Sequence, residues 1–78
     1  MGQIRIIKAR VPDARAIRLL EREVWKEEVV NKYDSPMFVR FGYVYIARDG
    51  KKLVGAIVSY RTNTDEIYVC DLVVRASY

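Results

Sequence analysis

Few residues in this 78-residue sequence have side chains that could act directly on a substrate. Histidine is absent, so a mechanism that uses imidazole as its base is excluded. Cys70 is the only cysteine, which excludes a disulfide within the chain and, without histidine, a structural zinc site. Glycine-rich phosphate-binding loops, the Gly-x-Ser-x-Gly nucleophile motif and metal-ligand spacings are also absent. From the residues alone, the sequence supports a soluble, intracellular α+β domain and no particular reaction.

The composition is that of one small globular domain spanning residues 1–78. Apolar residues make up 51% and charged residues 31%, so the chain has enough apolar residues to fold. Its apolar runs are far shorter than the ~20 residues that cross a bilayer, and no secretory signal is visible, so we expect no membrane partner. The single cysteine fits a reducing, cytoplasmic location. The net charge of +4 is spread without a basic block, so we expect no nucleic-acid partner.

The first half of the sequence predicts a strand followed by an amphipathic helix. Residues Gln3 to Val11 are rich in β-branched side chains and roughly alternate, which predicts a strand that ends at Pro12. Apolar residues then recur at helical spacing to about Trp25. The predicted buried stripe consists of Ala14, Ile17, Leu20 and Val24, and the predicted solvated residues between them are Arg15, Arg18, Glu21 and Arg22. Residues 26–33 either continue this helix or start a second one, and Ser35-Pro36 breaks the pattern.

The second half predicts three strands. Tyr43 to Arg48 and Lys52 to Arg61 flank an Asp-Gly turn, the strongest short-range signal for a hairpin, and Glu66 to Arg75 is the next strand. Gly55 indicates a bulge or a close approach of another backbone. The predicted fold is therefore α+β, with a mainly antiparallel sheet of about four strands in the order β-α-(α)-β-β-β. The last two strands are apolar on both faces, which is more sheet surface than the predicted helices can cover.

Three stretches of the sequence carry a resemblance to a known family: IRIIKARVPDARAIRLL, YVYIARDGKKLVGAIVSYR and EIYVCDLVVRASY. Together they resemble the amino-terminal half of the GNAT superfamily of N-acyltransferases, which use acetyl-CoA. The third stretch is similar to the family's L-x-V-x-P-x-Y strand, with Leu72, Val74 and Tyr78 at the L, V and Y. Ala76 stands where proline is usual. In the family this strand precedes the Arg/Gln-x-x-Gly-x-Gly/Ala loop that binds the pyrophosphate, so the resemblance implies a domain truncated after Tyr78.

The resemblance implies a cofactor site on the last strand. The backbone of Leu72, Val73 and Val74 would pair with the pantetheine arm of acetyl-CoA, and a backbone N–H in this stretch would polarise the thioester carbonyl. The side chains of these residues are more simply core residues of a strand. The implied reaction is direct attack of an amine acceptor on acetyl-CoA.

This reaction needs a base that takes the proton from the acceptor ammonium. Asp71 is the first candidate, because its apolar neighbours could raise its pKa, and Glu66 at the start of the strand is the second. An isolated carboxylate on a strand is, however, more often solvated or paired. Aromatic residues could line the site or the acceptor pocket, although ordinary packing is the simpler interpretation; they are Trp25, Tyr33, Phe38, Phe41, Tyr60 and Tyr68.

A second hypothesis is a non-enzymatic association module. The last strand would form an open, apolar edge that pairs with another chain. The expected product is a homodimer whose sheet continues across the two-fold axis, which would also enlarge the small core.

Overall fold

The computed structural model describes residues 3–26 and 35–78, and it confirms an α+β fold with a four-stranded antiparallel sheet. The elements in chain order are β1 (Ile4–Lys8), α1 (Asp13–Trp25), α2 (Ser35–Phe41), β2 (Tyr43–Asp49), β3 (Lys52–Arg61) and β4 (Ile67–Val74). This is the predicted order β-α-α-β-β-β. Asp49 and Gly50 connect the hairpin as expected, with Gly50 in the left-handed region at φ 62°.

The sheet has a simple order in which sequence neighbours are also spatial neighbours. The strands follow one another as β1-β2-β3-β4, and each neighbouring pair is antiparallel. Helix α1 packs against β3 and β4, and α2 packs against β2 and β3. The core lies between these helices and one face of the sheet; its largest fully buried apolar side chains are Leu20, Val44, Ile46 and Val73. Strand β4 therefore forms one edge of the described sheet.

Strand β1 is shorter than predicted, because the chain turns toward α1 directly after Lys8. The Ala9 N–H still donates to the Val44 carbonyl at 2.8 Å. The next residues form a turn in which the Arg10 N–H donates to an Asp13 carboxylate oxygen at 2.8 Å and the Asp13 N–H donates to the Arg10 carbonyl at 2.8 Å. These local bonds satisfy the backbone at the helix start, so the alternating pattern through Val11 does not extend the strand.

Ser35-Pro36, which were expected to break the helical pattern before them, open a helix, α2, that was not predicted at this place. Proline is tolerated in a first helical turn, where its missing N–H has no helical partner, and Pro12 precedes α1 for the same reason. Helix α1 ends at Trp25 as predicted, since Lys26 adopts a left-handed conformation at φ 65°. The predicted continuation or second helix over residues 27–33 lies outside the described residues.

The prediction that Glu21 lies on the solvated face of α1 was also wrong. Ala14, Ile17 and Leu20 are buried as expected, but Glu21 is only 1% exposed, and neither of its carboxylate oxygens has a hydrogen-bond partner in the described structure. Glu21 follows Ile17 by four residues and precedes Val24 by three, so helical geometry places it beside the buried stripe despite its charge.

Replacement of Glu21 by methionine is expected to stabilise the domain. Methionine keeps the length and helix propensity of the side chain and removes a buried carboxylate that has no hydrogen-bond partner among the described residues. We expect the free energy of unfolding to rise by about 1–3 kcal/mol, measured by urea denaturation. The same change at the exposed Glu23 is the control and should have little effect, although it removes the ion pair with Arg75. A lower urea midpoint for Glu21→Met would contradict the expected gain.

Across residues 3–26 and 35–78, no helix is long and apolar enough to span a membrane.

Candidate functional site

The free edge of β4 presents backbone hydrogen-bonding groups that β3 does not use. The Arg75 N–H donates to the Val54 carbonyl at 2.8 Å, which makes these two residues a hydrogen-bonded pair of the ladder. Hydrogen-bonded and non-hydrogen-bonded pairs alternate along an antiparallel ladder. Leu72 and Val74, opposite Ile57 and Gly55, are therefore non-hydrogen-bonded pairs, and their peptide groups point away from β3.

This alternation divides the three residues predicted to bind the cofactor. The N–H and C=O groups of Leu72 and Val74 face the free edge, where an extended ligand or another strand can pair with them. Val73, opposite Ala56, has its peptide groups turned toward β3, and its side chain is buried in the core. The edge therefore offers two outward-facing residues, separated by one that anchors the strand.

A bulge interrupts β4 directly before this edge. Asp71 lies opposite Val58, but the next pair along the ladder joins Val69 to Ser59, so Cys70 is an extra residue on β4. The Cys70 thiol donates to the Val58 carbonyl at 3.3 Å, and burial raises the pKa of this thiol. Cys70 is half-buried against the core, which agrees with its interpretation as a small apolar residue. A second bulge, at Val54, lies beside Gly55 as the sequence predicted.

Asp71 is buried on the face of the sheet that the helices cover. Only 4% of the residue is exposed, and neither carboxylate oxygen has a hydrogen-bond partner among the described residues. Removal from water disfavours the charged carboxylate and raises the pKa of Asp71 from 3.8 to about 6. A pKa in this range suits a general base, but the carboxylate lies on the opposite side of β4 from the exposed Leu72 side chain.

Glu66, the second candidate base, lies in the turn that precedes β4. Its backbone N–H donates to the Thr62 hydroxyl at 3.1 Å, and its carboxylate accepts a hydrogen bond from the Thr64 hydroxyl at 2.9 Å. The residue is exposed, and its contacts are those of an ordinary polar turn. The structure therefore does not bring Glu66 and Asp71 into one site.

A hollow of about 290 Å³ lies between the end of α2 and β3. It is lined by Met37, Phe38, Phe41, Gly42, Tyr60 and Arg61. The ring of Tyr60 contacts those of Phe38 and Tyr68, with centroid distances of 5.8 and 5.4 Å. Three of the predicted aromatic residues thus line this hollow, and Tyr68 contacts one of them. Trp25 is at the end of α1, and Tyr33 lies outside the described residues.

The sheet face opposite the helices is left uncovered by the described elements, as its two-sided apolar pattern predicted. We call it the open face and define it by three cross-strand rows. They are Ile6, Ala47, Gly55 and Val74; Lys8, Tyr45, Ile57 and Leu72; and Tyr43, Ser59 and Val69. It adjoins the free edge of β4, because the side chains of Leu72 and Val74 belong to it.

Comparisons of the chain with protein-family models, curated proteins and solved structures find no match.

Two features of this region were missed by the sequence predictions. Gly42 ends α2 so close to β3 that an added Cβ would lie 2.5 Å from the Ser59 carbonyl oxygen. The position of Gly42 between a short helix and an aromatic-rich strand is the feature that could have indicated this close approach. Arg61 lies at the rim of the hollow and forms an ion pair with Asp65, a contact across a turn whose geometry no linear motif indicated.

Proposed function

We propose that this chain is an acetyl-CoA-dependent N-acetyltransferase domain in which the free edge of β4 binds the pantetheine arm. The observation that carries the proposal is the pair of outward-facing peptide groups at Leu72 and Val74. The pantetheine arm contains two amides in an extended chain, which can pair with a strand edge as a β-strand does. The cytoplasmic location stays a prediction that accompanies this proposal.

The element order supports the proposal. The resemblance implied a strand, helical segments and three consecutive strands, and the structure has the order β-α-α-β-β-β. The bulge at Cys70 also falls within the stretch that the resemblance assigns to the cofactor strand. A shared order of elements is a similarity of fold, and a fold does not by itself determine an activity. The proposed activity therefore depends on the backbone groups at the free edge of β4.

In the proposed reaction, the amine nitrogen attacks the thioester carbonyl, the carbon–sulfur bond breaks and coenzyme A leaves as the thiolate. An N–H on the outer edge of β4 donates to the carbonyl oxygen as negative charge develops there. The proton released by the amine passes to a base, for which Asp71 is the preferred residue because burial raises its pKa to about 6. Since Asp71 is buried, this transfer proceeds through water or after a local opening of α1 against β4.

The hollow between α2 and β3 is the proposed acceptor site. Its lining combines the aromatic rings of Phe38, Phe41 and Tyr60 with the flexible side chain of Met37. Such a lining favours an amine carried on an apolar or aromatic group. The acceptor is therefore assigned only by chemical class.

A proline at position 72 tests the cofactor site. Leu72→Pro removes an outward-facing N–H without breaking the β3–β4 ladder, because that N–H does not bond to β3. Leu72→Ala is the matched control, since it removes the same side chain and keeps the N–H. We expect acetyl-CoA to bind to the wild type and the alanine variant, and binding to the proline variant to weaken about tenfold or more. Isothermal titration calorimetry measures this difference.

The calorimetric outcomes separate the parts of the proposal. Absence of binding by the wild-type chain would overturn acetyl-CoA as the cofactor. Equal binding by the Leu72→Pro and Leu72→Ala variants would show that acetyl-CoA binds away from the β4 edge. Release of free coenzyme A thiol in the presence of a panel of amines would then report the transfer itself.

Association through β4 is the second candidate function, and the same free edge supports it. Two β4 strands that pair antiparallel across a two-fold axis would form a continuous eight-stranded sheet, since each copy contributes four strands. This homodimer and the cofactor compete for the peptide groups of Leu72 and Val74. If sedimentation shows a dimer that dissociates when acetyl-CoA is added, the two proposals describe alternative uses of one edge.

A further inference from the structure

Strand β1 forms the second edge of the described sheet, on the side away from β4. Among the described elements it contacts β2 alone, so neither helix packs on either of its faces. Ile6 is 73% exposed on one face, and Ile7 is exposed on the other face although it lies opposite the buried Ile46. In the described structure, β1 therefore has an unpaired edge with exposed apolar side chains on both sides of it.

The register of β1 with β2 determines which backbone groups face this edge. The Ala9 N–H donates to the Val44 carbonyl at 2.8 Å, which makes these two residues a hydrogen-bonded pair. Hydrogen-bonded and non-hydrogen-bonded pairs alternate along an antiparallel ladder. Ile6 and Lys8 lie three residues and one residue before Ala9, so they belong to non-hydrogen-bonded pairs. Their N–H and C=O groups point away from β2 and are available to an added strand.

Basic side chains lie along the same edge. Arg5, Lys8 and Arg10 are exposed, and none of them forms an ion pair within the described residues. Arg5 lies directly opposite Arg48, and like charges in such a pair are destabilising. Asp13 balances only one of the two guanidinium groups, through its ion pair with Arg48 at 3.0 Å. The charge pattern of β1 is therefore complementary to a partner that supplies carboxylates.

We propose that the free edge of β1 binds an acidic segment of another protein as an added antiparallel strand. Hydrogen bonds form between the segment and the outward-facing peptide groups of Ile6 and Lys8. Because paired residues face one another singly, Arg5 and Lys8 face positions of the segment that are three residues apart. The segment therefore carries the pattern acidic-apolar-apolar-acidic. Its two carboxylates pair with Lys8 and Arg5, and its apolar side chains cover Ile7 and Ile6.

A second copy of this chain fits the β1 edge poorly. In an antiparallel two-fold pair, a residue whose peptide groups face outward pairs with another residue of that kind. Each two-fold register centred on one of residues 5–8 then places Arg5 or Lys8 opposite or diagonal to the same residue of the other copy. Like charges at these positions are destabilising, so the charge pattern favours an acidic partner over self-association.

This inference is independent of acetyl-CoA binding, because the proposed cofactor site uses β4, at the opposite edge of the sheet. A labelled peptide that contains Glu-Val-Val-Glu between flanking threonines tests it by fluorescence anisotropy. Ile6→Pro removes an outward-facing N–H that does not bond to β2, and Ile6→Ala is the matched control that keeps this N–H. We expect the peptide to bind the wild type and the alanine variant, and to bind the proline variant about tenfold more weakly.

Methylation of the peptide gives the same test without a change in the protein. In the proposed register the second valine lies opposite Ile6, so its N–H bonds to β1, whereas the N–H of the first valine points away. We expect N-methylation of the second valine to weaken binding about tenfold and N-methylation of the first to have little effect. This pair of peptides keeps the proposal testable if Ile6→Pro does not fold, which far-ultraviolet circular dichroism establishes.

Charge reversal tests the role of the basic side chains. We expect the double variant Arg5→Glu with Lys8→Glu to lose the acidic peptide and to bind a peptide that contains Lys-Val-Val-Lys instead. Arg15→Glu with Arg40→Glu is the matched control, because it changes the net charge equally at exposed residues of helices that do not contact β1. This control is expected to keep the preference for the acidic peptide.

Four results overturn the proposal. They are absence of acidic-peptide binding by the wild type, equal binding of the two methylated peptides, equal binding of a peptide with the order Val-Glu-Glu-Val, and equal effects of the two charge-reversal variants. A wild-type dimer that Ile6→Pro dissociates and Ile6→Ala retains overturns it in favour of self-association through β1. Tighter binding of a single-stranded oligonucleotide than of the acidic peptide overturns it in favour of a nucleic-acid partner.

Discussion

The Gly42→Ala variant is expected to lose roughly 3 kcal/mol of unfolding free energy, which for a domain of this size is a large part of its total stability. An added Cβ at this position would lie 2.5 Å from the Ser59 carbonyl oxygen and 2.7 Å from the Phe38 carbonyl oxygen. Both are backbone atoms, so no side-chain rotation relieves the overlap. Either the end of α2 or strand β3 must move.

Movement of α2 away from β3 also affects the proposed acceptor site. Gly42 lines the hollow between these elements together with Phe38 and Tyr60, so their separation changes its shape. We therefore expect Gly42→Ala to disturb the ring contact between Phe38 and Tyr60, which near-ultraviolet circular dichroism detects. The measurement of stability is urea denaturation of the wild type and the variant at equal protein concentration.

Gly55→Ala is the matched control for this prediction. An added Cβ at Gly55 would lie 3.4 Å from the Val73 carbonyl oxygen and 3.6 Å from the Ala47 Cβ, which are ordinary contacts. Because alanine also restricts the unfolded chain, we expect a change of less than about 1 kcal/mol at this position. Equal losses for the two variants would show that the close approach at Gly42 is not the cause.

The stability of the wild type is expected to fall by about 3 kcal/mol as pH rises through the titration of Asp71. Burial raises the pKa of Asp71 in the folded chain from 3.8 to about 6. The folded state therefore binds the proton more tightly than the unfolded state. The stabilising contribution is complete below pH 3.8, where both states are protonated, and is lost as pH rises to about 6, where the folded carboxyl ionises.

Asp71→Asn isolates this contribution, because asparagine has the same shape and does not titrate. We expect its unfolding free energy to exceed that of the wild type by an amount that grows from about pH 4 to about pH 7. Urea denaturation at a series of pH values gives this difference. A difference that stays constant across the series would show that Asp71 is not the group responsible.

The elements and their order could be predicted because local sequence patterns determine them. The alternation of Lys52–Arg61, the Asp-Gly turn and the periodicity of α1 all act between residues that are close in the chain. The same patterns indicated that the last strands are apolar on both faces. Helix α2 was not predicted, because proline is compatible both with a turn and with the first turn of a helix. The end of β1 was predicted too late, because the bond from the Arg10 N–H to the Asp13 carboxylate favours a turn after Lys8.

The candidate site was less predictable, because it depends on contacts between distant residues. The motif on the last strand indicated where a cofactor could bind, but the register with β3 decides that Leu72 and Val74 face the free edge and Val73 does not. Burial of Asp71 and Glu21 likewise follows from the packing of α1 on the sheet.

The sequence by itself determined that this protein is a small α+β domain with more apolar strand surface than its helices can cover. Only the tertiary structure decided which face stays uncovered. The reason is that the side chains of a strand alternate between two faces, and both faces of β3 and β4 carry apolar residues. Packing of α1 and α2 on one face buries Val44 and Val73 and leaves Ile6 and Leu72 exposed on the other.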